Sequence, residues 1–192
     1  MLTIYGFLEN SYTTVLKIYF SRKAEPMLRI IFTILVMLVS ISFASAQIKS
    51  VYTKLDDKHC RSLKPDKKDD EIGRLRCGGV SGYWIRVTSY PDDALAELVT
   101  PSGMEYDTVS TFAGHKIASG TSEWRVNNGQ PIGLIVGYSV QEPEGFRSYL
   151  VVSKISRTRP CVIGTIPPGK TQNAEARKLA DSSASKPCNK NP

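Results

Sequence analysis

Gly164-Thr165-Ile166-Pro167-Pro168-Gly169-Lys170-Thr171 is a formal match to the phosphate-binding loop G-x-x-x-x-G-K-[ST]. That loop works by pointing backbone N–H groups at phosphate oxygens. Pro167 and Pro168 have none to give, and Pro168 stands directly before the Gly-Lys pair where a donor is wanted. The chain beyond Thr171 has room for about one helix, too little for the parallel βαβ sheet that would bring a magnesium ligand. The segment therefore reads as a proline-built turn from strand to helix, and no nucleotide or other cofactor is expected.

Other residues with chemical potential are few. Ser81, in Cys77-Gly78-Gly79-Val80-Ser81-Gly82-Tyr83, sits one place away from the centre of a G-x-S-x-G nucleophile elbow and enters a strand rather than leaving one. The glycines read as a bend or bulge at the start of a sheet. There are two histidines. His59 adjoins Cys60 and reads as an exposed neighbour of a disulfide, while His115, in Ala113-Gly114-His115-Lys116, is a catalytic candidate with no assigned serine or carboxylate. Aromatic and guanidinium groups occur together at Trp84 with Arg86 and at Trp124 with Arg125, the residue types that concentrate binding energy. In Glu123-Trp124-Arg125 strand alternation puts the charged pair on one face and Trp124 on the other, which reads as a ligand-binding patch or, in preference, as Trp124 in the core with the charged pair facing water or bracing a neighbouring strand. Stacking rings beside cations would suit single-stranded nucleic acid, but an exported chain favours an envelope sugar or peptide instead.

All four cysteines, Cys60, Cys77, Cys161 and Cys188, follow the apolar segment described below, and an even count in an exported chain reads as two disulfides. Four cysteines allow three pairings. Cys60 with Cys77 and Cys161 with Cys188 are favoured, because each closes a short loop at lower entropic cost. No pair has the spacing of a zinc knuckle, so no metal is expected.

The elements that would position these residues begin after an N-terminal leader. Leu28 to Ala46 reads LRIIFTILVMLVSISFASA, and from Met27 it has the parts of a secretory signal: Arg29, an apolar core, and Ala44-Ser45-Ala46 before Gln47. A retained membrane anchor is the alternative, since the run is nearly long enough to span a bilayer. The A-x-A ending favours cleavage between Ala46 and Gln47. Met27 alone would open a well-proportioned signal, so residues 1–26 read either as a long leader or as sequence upstream of the true start. Cleavage leaves 146 residues as one domain.

Charge in that domain is uneven. Residues 47–152 carry 13 Lys or Arg against 14 Asp or Glu, whereas residues 153–192 carry 8 against 2. The basic end could meet anionic lipid or polysaccharide, or simply keep the chain soluble.

Lys54 to Arg76 is polar, heavily charged and without apolar period, a surface loop closed by Cys60 and Cys77. Val80 to Tyr90 alternates as a half-buried strand, with Tyr83, Ile85 and Val87 on one face and Trp84, Arg86 and Thr88 on the other. Pro91-Asp92-Asp93 turns the chain into a second strand, Ala94 to Thr100. Asn127-Asn128-Gly129, between Glu123–Val126 and Ile132–Tyr138, is the strongest hairpin signal. A polar loop at Gln141 to Gly145 precedes the β-branched run Tyr149 to Ile155, which reads as a central strand. Cys161-Val162-Ile163 is a last short strand, and Thr171 to Ala184 an Ala-rich helix with Ala176, Leu179, Ala180 and Ala184 on one side. So slight an apolar face gives a Cys161–Cys188 bond a purpose, which is to hold the helix on the sheet.

As a whole the pattern resembles a group of small exported bacterial proteins that share four cysteines and have no assigned activity. The resemblance rests on the signal, Cys60 before a charged loop, Cys77-Gly78-Gly79 leading to Gly82-Tyr83, Glu123-Trp124-Arg125, and Cys161-Val162-Ile163-Gly164 before a helix ending at Cys188. It covers most of residues 51–188 and implies a periplasmic setting. The fold expected is a single α+β domain, a mainly antiparallel sheet of meander and hairpins with one C-terminal helix tied by a disulfide.

The function expected is that of a periplasmic or secreted binding or envelope-associated accessory protein, inhibition of another protein included. Its partner would be an envelope protein, a polysaccharide or an anionic lipid surface, with no nucleic acid and no membrane span in the mature chain. Two alternatives stand beside it: a hydrolase of envelope material, and a structural protein without a specific ligand.

Overall fold

The structure, a computed structural model, describes residues 47–64, 72–108, 116–118, 120–156 and 159–189. The leader and signal reading of residues 1–46 lies outside them. The described residues belong to one unit, Ala46–Pro192. In chain order the strands are β1 (Lys49–Lys54), β2 (Arg61–Ser62), β3 (Gly73–Cys77), β4 (Trp84–Ser89), β5 (Ala94–Val99), β6 (Glu105–Asp107), β7 (Lys116–Ala118), β8 (Thr121–Asn127), β9 (Gln130–Glu142), β10 (Gly145–Lys154) and β11 (Cys161–Ile166). One helix, α1 (Gln172–Asp181), and a 3-10 turn, Ser183–Ser185, follow. The fold is thus mostly antiparallel sheet with a C-terminal helix, and the Cys161–Cys188 disulfide links β11 to the chain after that helix. Among the described residues no helix is long and apolar enough to cross a membrane.

The long strand β9 organises the sheet. Along one edge β10 pairs with it from Gly133 to Glu142, and β11 pairs with β10 beyond. Along the other edge its first half meets β8, then β1, while Tyr138–Val140 meets β7, which leads to β5, β4, β3 and β2. Among the described residues the β5–β7 contact is parallel and every other pairing is antiparallel.

Alternation along β9 gives two burial surfaces. Leu134, Val136, Tyr138 and Val140 join Ile85, Val87, Ala96, Leu98, Trp124 and Val151 in one core, so the two limbs of the sheet pack face to face. Ile135, with Val152 and Ile163, points the other way and packs on Ala176 and Ala180 of α1.

Two glycine-dependent contacts shape this second layer and its turn. A Cβ on Gly133 would lie 3.0 Å from the Ala180 Cβ, so the absence of a side chain lets α1 seat closely on β9. The β8–β9 turn runs through Asn128 and Gly129 at φ 49° and 78°, the left-handed pair that a tight hairpin requires. Pro131 coincides with a register shift between Arg125 and Val126, and the carbonyl of Ile132 beside it accepts from the Ile155 N–H and the Ser183 hydroxyl, both at 3.0 Å.

In the main core, burial pushes the Tyr138 phenol up to about 12. Its oxygen accepts from the Ala96 N–H at 3.0 Å and lies 3.1 Å from the Thr108 hydroxyl.

Several local expectations need correction. The segment Lys54 to Arg76 is not all loop, for β2 and β3 lie within it. Gly73–Cys77 forms a strand because Leu75 and Cys77 face the core while Arg74 and Arg76 face outward, and pairing with β4 supplies the rest. The loop at Gln141 to Gly145 shrinks to Pro143 and Glu144, since Gly145 at φ 118° allows a tight turn. The helix is shorter than Thr171 to Ala184, with its last residues wound into the 3-10 turn and Ala184 exposed.

Candidate functional site

The outer face of β2, β3 and β4 carries a cross-strand row of arginines. The register sets Arg61 opposite Arg76 and Arg76 opposite Arg86, with Trp84 two residues along β4. Cys77 and Ile85, one step along each strand, face the core, so this row faces outward. The Arg76 guanidinium lies over the Trp84 ring, 4.6 Å from its centroid. Such a stack is electrostatically favourable and holds the guanidinium plane in place.

Arg86 is committed to the fold. Its Nε and Nη2 donate to Glu97 on neighbouring β5 at 2.7 and 2.9 Å, and its Nη1 and Nη2 donate to Glu105 on β6. The hydrogen bonds to Glu97, helped by Glu105, raise its already high pKa against the opposing effect of burial. Burial works against the charged form of Glu97, but Arg86 and the Thr88 hydroxyl at 3.1 Å outweigh it and hold the carboxyl below its ordinary value. Among the described residues neither Arg61 nor Arg76 has such a carboxylate partner.

Trp124 and Arg125 lie elsewhere. Trp124 is 0% exposed, and its indole N–H donates to the Thr53 hydroxyl at 3.0 Å. Arg125, 8% exposed, points to the helix side and grips both oxygens of Asp181 at the end of α1, at 2.6 and 2.8 Å. It also donates to Glu123 Oε1 at 3.2 Å and to the Ser50 hydroxyl. From α1, Arg177 Nε donates to both Glu123 oxygens at 2.8 and 3.1 Å, and its Nη2 donates to the Tyr52 hydroxyl at 3.2 Å. Burial opposes ionisation of Glu123, yet Arg177, Ser50 and Arg125 together keep its pKa below the ordinary glutamate value. The structure therefore gathers Trp84 and Arg86 on one surface and places Trp124 and Arg125 inside a different part of the protein.

The remaining sequence candidates are spread out. His59 is exposed and its Nδ1 is 2.5 Å from Asp56 Oδ1. His115 lies outside the described residues. The Ser81 hydroxyl donates to the Gly129 carbonyl at 2.6 Å, tying the β3–β4 connection to the β8–β9 turn. At the proline turn Gln172 Nε2 donates to the Ser148 and Ile166 carbonyls at 2.9 and 3.2 Å, and Leu179 fills the space above Gly164. Among the described residues no group of three or more His, Cys, Asp or Glu could hold a metal ion.

Sequence reasoning missed Arg61 and Arg76. The available signal was their position just inside a cysteine pair, in Cys60-Arg61 and Arg76-Cys77, together with the alternation of Arg74-Leu75-Arg76-Cys77. No protein-family model, curated protein or solved structure matches this chain.

Proposed function

We propose that this chain is an exported, periplasmic or secreted bacterial binding protein that acts without catalysis, and that it contacts its ligand through the outer face of β2–β4. The observation that carries this reading is the half-buried Trp84 with Arg76 laid over it on an open sheet surface. An aromatic ring and a guanidinium stacked together on an outer sheet face are the residue types that concentrate binding energy at interfaces. Two disulfides, Cys60–Cys77 and Cys161–Cys188, support an oxidising compartment. The apolar run ending in Ala44-Ser45-Ala46 supports export through a cleaved signal.

The test is retention of envelope extract on the immobilised oxidised protein at low and high salt, beside a Trp84→Ala variant. A component kept at high salt by the wild type and lost by Trp84→Ala is the expected result. Nothing retained, or retention indifferent to Trp84, overturns the reading.

A further inference from the structure

Strand β2 is two residues long, and Arg61 stands directly across from Arg76 in its ladder. Like charges opposite each other destabilise a strand pair, and a ladder this short has little to set against that. One further backbone bond, Leu63 N–H to the Arg74 carbonyl at 2.9 Å, extends the pairing. What holds the pair is covalent: Cys60 precedes Arg61, Cys77 follows Arg76, and the two cysteines are joined with their Cα atoms 4.3 Å apart. The disulfide thus clamps two mutually repelling arginines side by side.

The described carboxylates nearby do not neutralise them. Glu97 and Glu105 are spent on Arg86, and Trp84 engages the flat face of the Arg76 guanidinium. A guanidinium stacked by its face keeps its in-plane N–H donors free, and those donors match the oxygens of a phosphate or carboxylate in a bidentate fork. Two adjacent cations without a carboxylate partner among the described residues are best balanced by a dianion, which a phosphate monoester is and a carboxylate is not.

We propose that Arg61 and Arg76 form a receptor for a phosphate monoester dianion, free or carried on a lipid headgroup, with Trp84 as the positioning residue for Arg76. The Cys60–Cys77 disulfide makes the receptor conditional on oxidation. This rests on the binding face proposed above and names its ligand chemistry.

The test is calorimetric titration of the oxidised protein with inorganic phosphate, together with co-sedimentation on phosphatidylcholine vesicles with and without phosphatidic acid. Arg61→Ala and Arg76→Ala should each weaken phosphate binding on the order of tenfold or more, the scale of a lost charge-assisted hydrogen bond. Arg76→Lys should recover only part, because lysine keeps the charge without the fork. Lys170→Ala, on the exposed proline turn, should leave binding unchanged. A Cys60→Ser/Cys77→Ser variant that retains its circular dichroism should lose the site, and the arginine variants test the proposal in the intact disulfide background if that variant does not fold. Vesicle binding that requires phosphatidic acid, and is competed by phosphate, assigns the headgroup source; phosphate binding without it assigns the free ion. No phosphate binding, or binding equally weakened by Lys170→Ala, overturns the proposal. If Trp84-dependent capture of an envelope component persists in that case, the phosphate assignment alone has failed; if both are absent, both have.

Discussion

Two faces of this protein carry arginines, and they use them in opposite ways. Where α1 crosses β8, Arg125 and Arg177 are matched by Glu123 and Asp181, with Ser50 and Tyr52 completing the set. On β2–β4, Arg86 is matched in the same manner by Glu97 and Glu105, but Arg61 and Arg76 beside it have no carboxylate among the described residues. The first arrangement spends its charge on joining a helix with a thin apolar face to a sheet. The second leaves two arginines facing outward without a carboxylate partner among the described residues. Arginine content by itself separates neither face from the other; the partner set does.

The sharpest way to break this contrast is to remove one arginine from each face. Arg125→Ala leaves the Asp181 carboxylate without its clamp and Glu123 buried with a poorer set of donors, and should cost about 3 kcal/mol in denaturant unfolding. Gly133→Ala acts on the same face by geometry. Its new methyl would meet Ala180 at 3.0 Å, lift α1 from β9 and stretch the Arg125–Asp181 contact, with an expected loss of about 2 kcal/mol. A melting temperature equal to the wild type would show that the helix seats without that close approach.

Acid should weaken the helix face more gently. Glu123 has a folded-state pKa below its ordinary value near 4.5, so its stabilising effect is present above that value and is lost as pH falls through the depressed one. Unfolding free energy should decline on acidification below pH 4.5, and Glu123→Gln should flatten that part of the curve. An unchanged slope would mean that other carboxylates, Glu97 among them, carry the acid sensitivity. The smallest effect is expected at Arg76→Ala, whose stability should stay within about 0.5 kcal/mol of the wild type, because the residue braces nothing in the interior. A loss as large as that of Arg125→Ala would place Arg76 with the structural arginines.

Much of the sheet was legible because strand alternation is a local property. Ile85 and Val87 against Trp84, Arg86 and Thr88 describes β4 as it stands, and Asn128-Gly129 marks a tight turn. Strand β1 and the short strands β2, β6 and β7 were not legible, since each is defined by the neighbour it pairs with rather than by its own residues. Trp84 and Trp124 look alike in sequence, each near an arginine on an alternating strand. Which of them lies inside depends on the second limb of the sheet folding over Trp124, a contact between segments far apart in the chain.

By itself the sequence determined a disulfide-stapled, mainly antiparallel domain with a C-terminal helix, because residue periodicity, turn chemistry and cysteine spacing are written within a few neighbouring positions. Tertiary structure alone decided which arginines are spent and which are open. A guanidinium is neutralised by carboxylates that arrive from other strands and from the helix, and the pairing that delivers Asp181 to Arg125 and Glu97 to Arg86 brings none of the described carboxylates to Arg61 or Arg76.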